Sequence, residues 1–178
     1  MMYLQTILQE GRNAIRSLIQ VFSATLLLAA SAQITVPFYP VPFTLQTITI
    51  FFLACVLGKR LTVAAVALYL LEGFFGLPVF AKFSCGPAVL LGSYSSGYLW
   101  GFLISAYLAG MIYERVSSKK TSHLLMIGLV SELPTFACGY LYLACLTDFH
   151  TAWMLGIVPF IISTLLKNIF LAYIIRKL

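Results

Sequence analysis

The chain has 178 residues, 61% of them hydrophobic and only 9% charged, with a formal net charge of +6. Such a composition cannot cover itself with polar surface in water, which excludes a soluble globular domain and makes lipid the expected solvent. The basic excess falls in the gaps between apolar runs and has no aromatic-interleaved pattern, so it points to orientation against anionic lipid and away from nucleic-acid binding.

The predicted elements are six membrane spans, over about 15–36, 44–57, 61–75, 97–113, 123–145 and 153–175. Residues 1–14 are more polar and suit an interfacial amphipathic helix ahead of the first span. Within that span Ala30, Ser31 and Ala32 before Gln33 mimic a signal-peptidase site, although the same small residues suit close helix packing. Pro37, Pro40 and Pro42 break the helix in an outer loop, because each lacks an N–H and disfavours helix at the residue before it.

The second span is about 21 Å long at 1.5 Å per residue, short for a hydrocarbon core of about 30 Å. Its opening Thr44, Gln46 and Thr47 therefore lie at membrane depth, where they must face protein or a wet cavity. The third span carries Glu72 near its outer end and stops at Gly73, Gly76 and Pro78. Residues 80–96 are irregular, with Lys82, Ser84, Gly86, Pro87 and several serines around a short apolar core, and read as a partly re-entrant outer loop. The fourth span ends at a basic connection, the fifth contains Glu132 and Pro134, and the sixth contains Lys167.

Basic residues fix the direction of this bundle. Arg12 with Arg16, Lys59 with Arg60, Arg115 with Lys119 and Lys120, and Arg176 with Lys177 recur at every second gap. Lys and Arg accumulate on the cytoplasmic side, so both termini and the second and fourth connections are expected inside. The fold class is thus all-α, a single polytopic domain over 1–178, multi-pass in the cell inner (plasma) membrane. Lys82 and Lys167 stand outside the pattern. At the centre of a span a charged side chain costs about 2.5–3.5 kcal/mol unless it snorkels, pairs or meets water. Lys167 stands about nine residues, or roughly 13 Å, from the inner basic pair, which is long for snorkelling. It either pairs with Glu72 or Glu132 or faces a ligand. Thr164, three residues earlier, shares its face, with Asn168 beside it, and Gln46 is the matching donor and acceptor in the second span. Phe80, Phe83, Tyr94 and Tyr98 either wall an apolar pocket or belong to the aromatic belt at headgroup depth.

Catalysis finds little support. The sequence has no HExxH motif, no nucleophile elbow and no P-loop, so no resident metal, cofactor or ATP hydrolysis is expected. Cys55, Cys85, Cys138 and Cys145 lack metal or redox spacing.

Several motifs nevertheless stand out. Pro40-Val41-Pro42-Phe43-Thr44-Leu45-Gln46-Thr47, Leu57-Gly58-Lys59-Arg60-Leu61, Tyr69-Leu70-Leu71-Glu72-Gly73, Gly76-Leu77-Pro78-Val79-Phe80-Ala81, Gly97-Tyr98-Leu99-Trp100-Gly101-Phe102 and Leu165-Leu166-Lys167 occur in that order. Together they resemble the BioY family, the biotin-specific membrane (S) component of energy-coupling-factor (ECF) transporters. The resemblance implies high-affinity capture of biotin from outside and delivery with a transmembrane coupling protein and two ATP-binding cassette ATPases, which use the ATP. It implies a biotin site drawn from Gln46, Phe80, Lys82, Ser84, Gly86, Tyr98, Thr164, Lys167 and Asn168. It also implies a contact with the coupling protein through small residues of the first helix, here Thr25, Ala29 and Ala32. Two positions depart from the family pattern: Thr164 stands where an Asp is usual, and Ser93-Tyr94-Ser95-Ser96 replaces a Gly-rich run. A solitary proton-coupled carrier for biotin or a related small organic acid, with Glu132 or Glu72 as the proton site, is the alternative function. An intramembrane enzyme is a third, and it lacks a nucleophile and base.

Overall fold

The computed structural model describes residues 2–117 and 120–177, so Lys119 of the basic connection lies outside the described residues. Its elements in chain order are α1 (Met2–Gln33), β1 (Thr35–Val36), β2 (Phe43–Thr44), α2 (Gln46–Phe74), a 3-10 turn (Ala81–Phe83), α3 (Pro87–Gly92), α4 (Ser96–Arg115), α5 (Thr121–Leu146), α6 (Phe149–Gly156) and α7 (Val158–Ile175). Four stretches are long and apolar enough to cross a membrane: Gly11–Gln33, Gln46–Phe74, Thr121–Leu146 and Phe149–Ile175.

α2 holds two spans, because its backbone leaves the helix at Gly58 (φ 75°, ψ 172°). The side chains of Gln46 and Tyr69 then meet at 2.7 Å. In a straight helix those residues would stand about 34 Å apart, so the chain doubles back at Gly58. A positive φ of this kind favours glycine. The turn is clasped from α4, where Glu114 accepts the Lys59 backbone N–H at 3.0 Å and pairs with the Lys59 ammonium, also at 3.0 Å.

α4 is the inner helix, packed against both α2 and α5. Small residues permit the approach: a Cβ on Gly101 would stand 2.6 Å from the Thr135 Cα, and one on Gly110 would stand 2.5 Å from the Lys59 Cα. With lipid outside there is little hydrophobic gain in pairing helices, so close backbone packing and interhelical hydrogen bonds carry the association. One such bond joins Ser105 and Thr135 at 2.7 Å.

Several boundaries differ from the sequence-based expectation. α1 is continuous from Met2 and ends at Gln33, before the expected 36, and the next span starts at 46 instead of 44. Between them Thr35 pairs with Thr44 and Val36 with Phe43 in a two-rung antiparallel ladder. β-branched Thr35 and Val36, with Pro37 excluding helix at Val36, select the extended form. The sixth span is α6 followed by α7. Asp148 caps α6 by accepting the Thr151 N–H at 2.9 Å, and Pro159, which has no N–H to give, sits in the first turn of α7. The irregular 80–96 segment resolves into the 3-10 turn and α3, which starts on Pro87.

Candidate functional site

The loop between α1 and α2, the start of α2, the 79–84 segment and residues of α4, α5 and α7 line a cavity of about 360 Å³. That lies within the ordinary size range of small-molecule sites. Apolar walls come from Phe80, Tyr98, Leu99, Phe102, Phe136 and Phe160. Polar groups enter from opposite ends, with Gln46, Thr47 and Lys167 inside and Lys82 beside exposed Tyr39 at the mouth.

At the inner end each polar side chain is already oriented. Gln46 is buried, donates to the Tyr69 hydroxyl at 2.7 Å and accepts from the Thr44 hydroxyl at 3.2 Å. The Tyr69 hydroxyl donates onward to the Val79 carbonyl at 3.1 Å, which links the α2 hairpin to the mouth segment. Lys167 reaches across from α7 and donates to the Thr47 hydroxyl at 3.0 Å and the Thr44 carbonyl at 3.4 Å. Among the described residues the ion pair is Lys59 with Glu114, so the expected direct pairing of Lys167 with Glu72 or Glu132 is not formed. Glu72 is engaged elsewhere, accepting from the Thr25 hydroxyl at 3.1 Å.

Aromatic packing builds the side wall. Phe160 stacks on Phe43 with centroids 4.3 Å apart and also faces Tyr98, whose hydroxyl donates to the Gly156 carbonyl at 2.8 Å. Tyr98 is thus fixed from both ends, in line with the usual need of a buried tyrosine for a partner. Phe80 is buried with its edge on Tyr69. The mouth segment hangs from α1: Gln33 donates to the Phe80 carbonyl at 3.0 Å and accepts the Phe83 N–H at 3.0 Å. Lys82 and Phe83 both hold positive φ there, 58° and 55°, a conformation that non-glycine residues keep only where the surroundings enforce it.

The structure gathers Gln46, Phe80, Lys82, Ser84, Tyr98 and Lys167 on the cavity wall. It places the other three expected site residues off that wall. Gly86 is a backbone device, with φ 92° and its N–H donated to the Gly73 carbonyl at 2.7 Å. Thr164 and Asn168 point into the α5–α7 contact, where Asn168 donates to the Glu132 carboxylate at 3.1 Å and to the Thr164 carbonyl at 3.0 Å. The reason is helical phase: at 100° per residue Asn168 turns away from Lys167, toward α5. The first-helix candidates also face inward. Thr25 and Ala32 are buried and Ala29 packs on the same core, while Phe22 and Leu26 occupy the outer face of α1.

Of the protein-or-cavity alternatives expected for Thr47, the structure places it on the cavity wall; sequence reasoning missed Phe136, Phe160, Ser93 and Ser95 as wall residues. Phe160 was within reach, since it stands seven residues before Lys167 and so shares its face.

Residues 5–178 match the family model described as BioY family. The chain belongs to the BioY family. It is 37% identical over 166 residues to a protein of Thermotoga maritima named "Biotin transporter BioY", covering 92% of this chain and 95% of that one. A Pyrococcus horikoshii protein named "Probable biotin transporter BioY" is 34% identical over 151 residues, covering 85% and 87%. The fold matches the crystal structure of "the S-component for biotin from an ECF-type ABC transporter" with a TM-score of 0.81 at 24% identity, over 93% of this chain and 92% of that one. The BioY motifs around Gln46, Phe80 and Lys167 all reach the cavity.

Proposed function

We propose that this BioY chain is the biotin-binding membrane subunit of an ECF-type vitamin uptake transporter. It captures biotin on the outer side of the plasma membrane and delivers it with a transmembrane coupling protein and ATP-binding cassette ATPases. The observation that carries this reading is the cavity itself, apolar on its sides, with Gln46 and Lys167 at one end and Lys82 at the other. Biotin presents a ureido ring that needs donors and acceptors, an apolar bicycle and tail, and a carboxylate that needs a cation. The cavity supplies each of these. Mass spectrometry of small molecules released from the detergent-purified chain tests the reading, with biotin expected at about one per chain at saturation. A different co-purified molecule, or no heat of biotin binding in calorimetry of the emptied protein, would refute it.

The solitary carrier is favoured by one observation, a carboxylate, Glu132, buried in the bundle close to the cavity. Liposomes holding the purified chain alone separate the two. Biotin uptake driven by a proton gradient and abolished in Glu132→Gln would establish the carrier; absence of such uptake, with binding intact, fits the subunit.

A further inference from the structure

The seam between α4 and α5 is tight at the cavity end and opens at the other. Near the cavity, a Cβ on Gly97 would stand 2.4 Å from the Cys138 carbonyl oxygen, Gly101 abuts Thr135, and Ser105 is hydrogen-bonded to Thr135. Farther along, the close approach of α4 passes to α2, at Gly110 against Lys59, and the seam with α5 widens into a groove of about 510 Å³. Its walls are graded. Ser117 and His123 line it beside the α4–α5 connection, and Val116, Ile112, Met126 and Val130 carry it on as an apolar trough. His123 to Val130 spans about 10 Å of helix. Met126 is 58% exposed and Val130 37%, so the trough is open to its surroundings. Basic residues gather at the rim. Arg115 adjoins Val116 at the end of α4, Lys120 is the N-cap of α5, and Arg176 of α7 donates to the Thr121 hydroxyl at 3.3 Å. Arg115 and Lys120 are exposed and, among the described residues, neither makes an ion pair. The nearby acid, Glu114, is committed to Lys59.

We propose that this groove is a binding site for one anionic phospholipid of the cytoplasmic leaflet, with an acyl chain in the apolar trough and the phosphate at the basic rim. Charge complementarity selects this occupant. A neutral lipid leaves the rim cations unanswered, and a free phosphate leaves the trough empty; a molecule with both an anion and a long apolar tail answers both. Basic pockets between spanning helices on the cytoplasmic side take anionic headgroups in this way. The basic gaps assign this end of the bundle to that side. α4 gives Tyr98, Leu99 and Phe102 to the cavity and Ile112 and Val116 to the groove, so the lipid site is separate from the cavity and independent of what the cavity holds.

Native mass spectrometry of the delipidated full chain, titrated with phosphatidylglycerol and phosphatidylcholine of identical acyl chains, tests the proposal. One phosphatidylglycerol is expected to bind about tenfold or more tightly than phosphatidylcholine. Arg115→Gln and Lys120→Gln should each weaken phosphatidylglycerol about fivefold and leave phosphatidylcholine unmoved. Arg12→Gln, which removes the same charge from α1, should change neither. Val130→Trp fills the trough from an outward-facing position without altering charge, and should weaken phosphatidylglycerol about tenfold. Equal affinity for the two lipids would reduce the groove to general lipid contact and overturn the proposal. So would full affinity in Arg115→Gln and Lys120→Gln, or a loss in Arg12→Gln as large as theirs, which would mark a diffuse field. An unmoved affinity in Val130→Trp would put the lipid elsewhere and overturn it too.

Discussion

Lys167 donates to two oxygens of the α2 start and still presents its ammonium to the cavity. With biotin in the cavity as proposed, removing Lys167 takes away a charged contact to it. Lys167→Ala is therefore expected to weaken biotin binding at least tenfold, or about 1.4 kcal/mol, by calorimetry. Unchanged affinity would reduce Lys167 to a structural strut. Its place on the cavity wall was legible from sequence, because a cation inside an apolar run needs water, a partner or a ligand. The place of Gln46 was legible from a short span that leaves polar groups at membrane depth. Glu132 and Asn168 were visible as buried polar groups, but their bond was not, since it depends on how α5 and α7 are rotated against each other. Nor was the backbone of Lys82 legible: it holds a positive φ with no glycine to announce it, between Phe80 and Phe83, the two residues bonded to Gln33.

Among the elements, α4 and α5 show how packing decides stability in lipid. A methyl at position 101 would meet backbone atoms of Thr135 and Pro134, at 2.6 Å and 3.0 Å, and backbone cannot swing aside as a side chain can. Gly101→Ala is expected to cost about 1–3 kcal/mol, read as a lowered thermal midpoint of the detergent-solubilised protein. An unaltered midpoint would mean the helices are free to separate. The α2 hairpin and α4 are joined at the other end by Glu114. Its carboxyl is held below the ordinary carboxylate range, first by the Lys59 backbone N–H and then by the Lys59 ammonium. The folded chain thus takes up this proton less readily than the unfolded one. The stabilisation is complete above the usual carboxylate range and is lost as pH falls through the lowered value. The wild-type midpoint should fall more steeply than that of Glu114→Gln across that acid window, and parallel curves would dismiss the clasp. The span count was readable from hydrophobic runs and basic gaps. The ladder of Thr35–Val36 with Phe43–Thr44 was hidden, because two-residue strands carry no periodicity.

For the whole molecule, the mouth segment is tied to the end of α1 through Gln33, and that tether sets the cost of lifting the segment off the cavity. Its hydrogen bonds to the Phe80 carbonyl and the Phe83 N–H contribute about 1 kcal/mol each, net of those remade with water. A segment released from Gln33 then lies about 2 kcal/mol above the closed form, a population of roughly three in a hundred. A ligand that enters by this segment would then find it lifted only a few times in every hundred encounters. Gln33→Ala should raise association and dissociation rates together in stopped-flow experiments, with the affinity little changed; rates that stay put would send the ligand by another route. Such a tether would lengthen the stay of whatever the cavity holds.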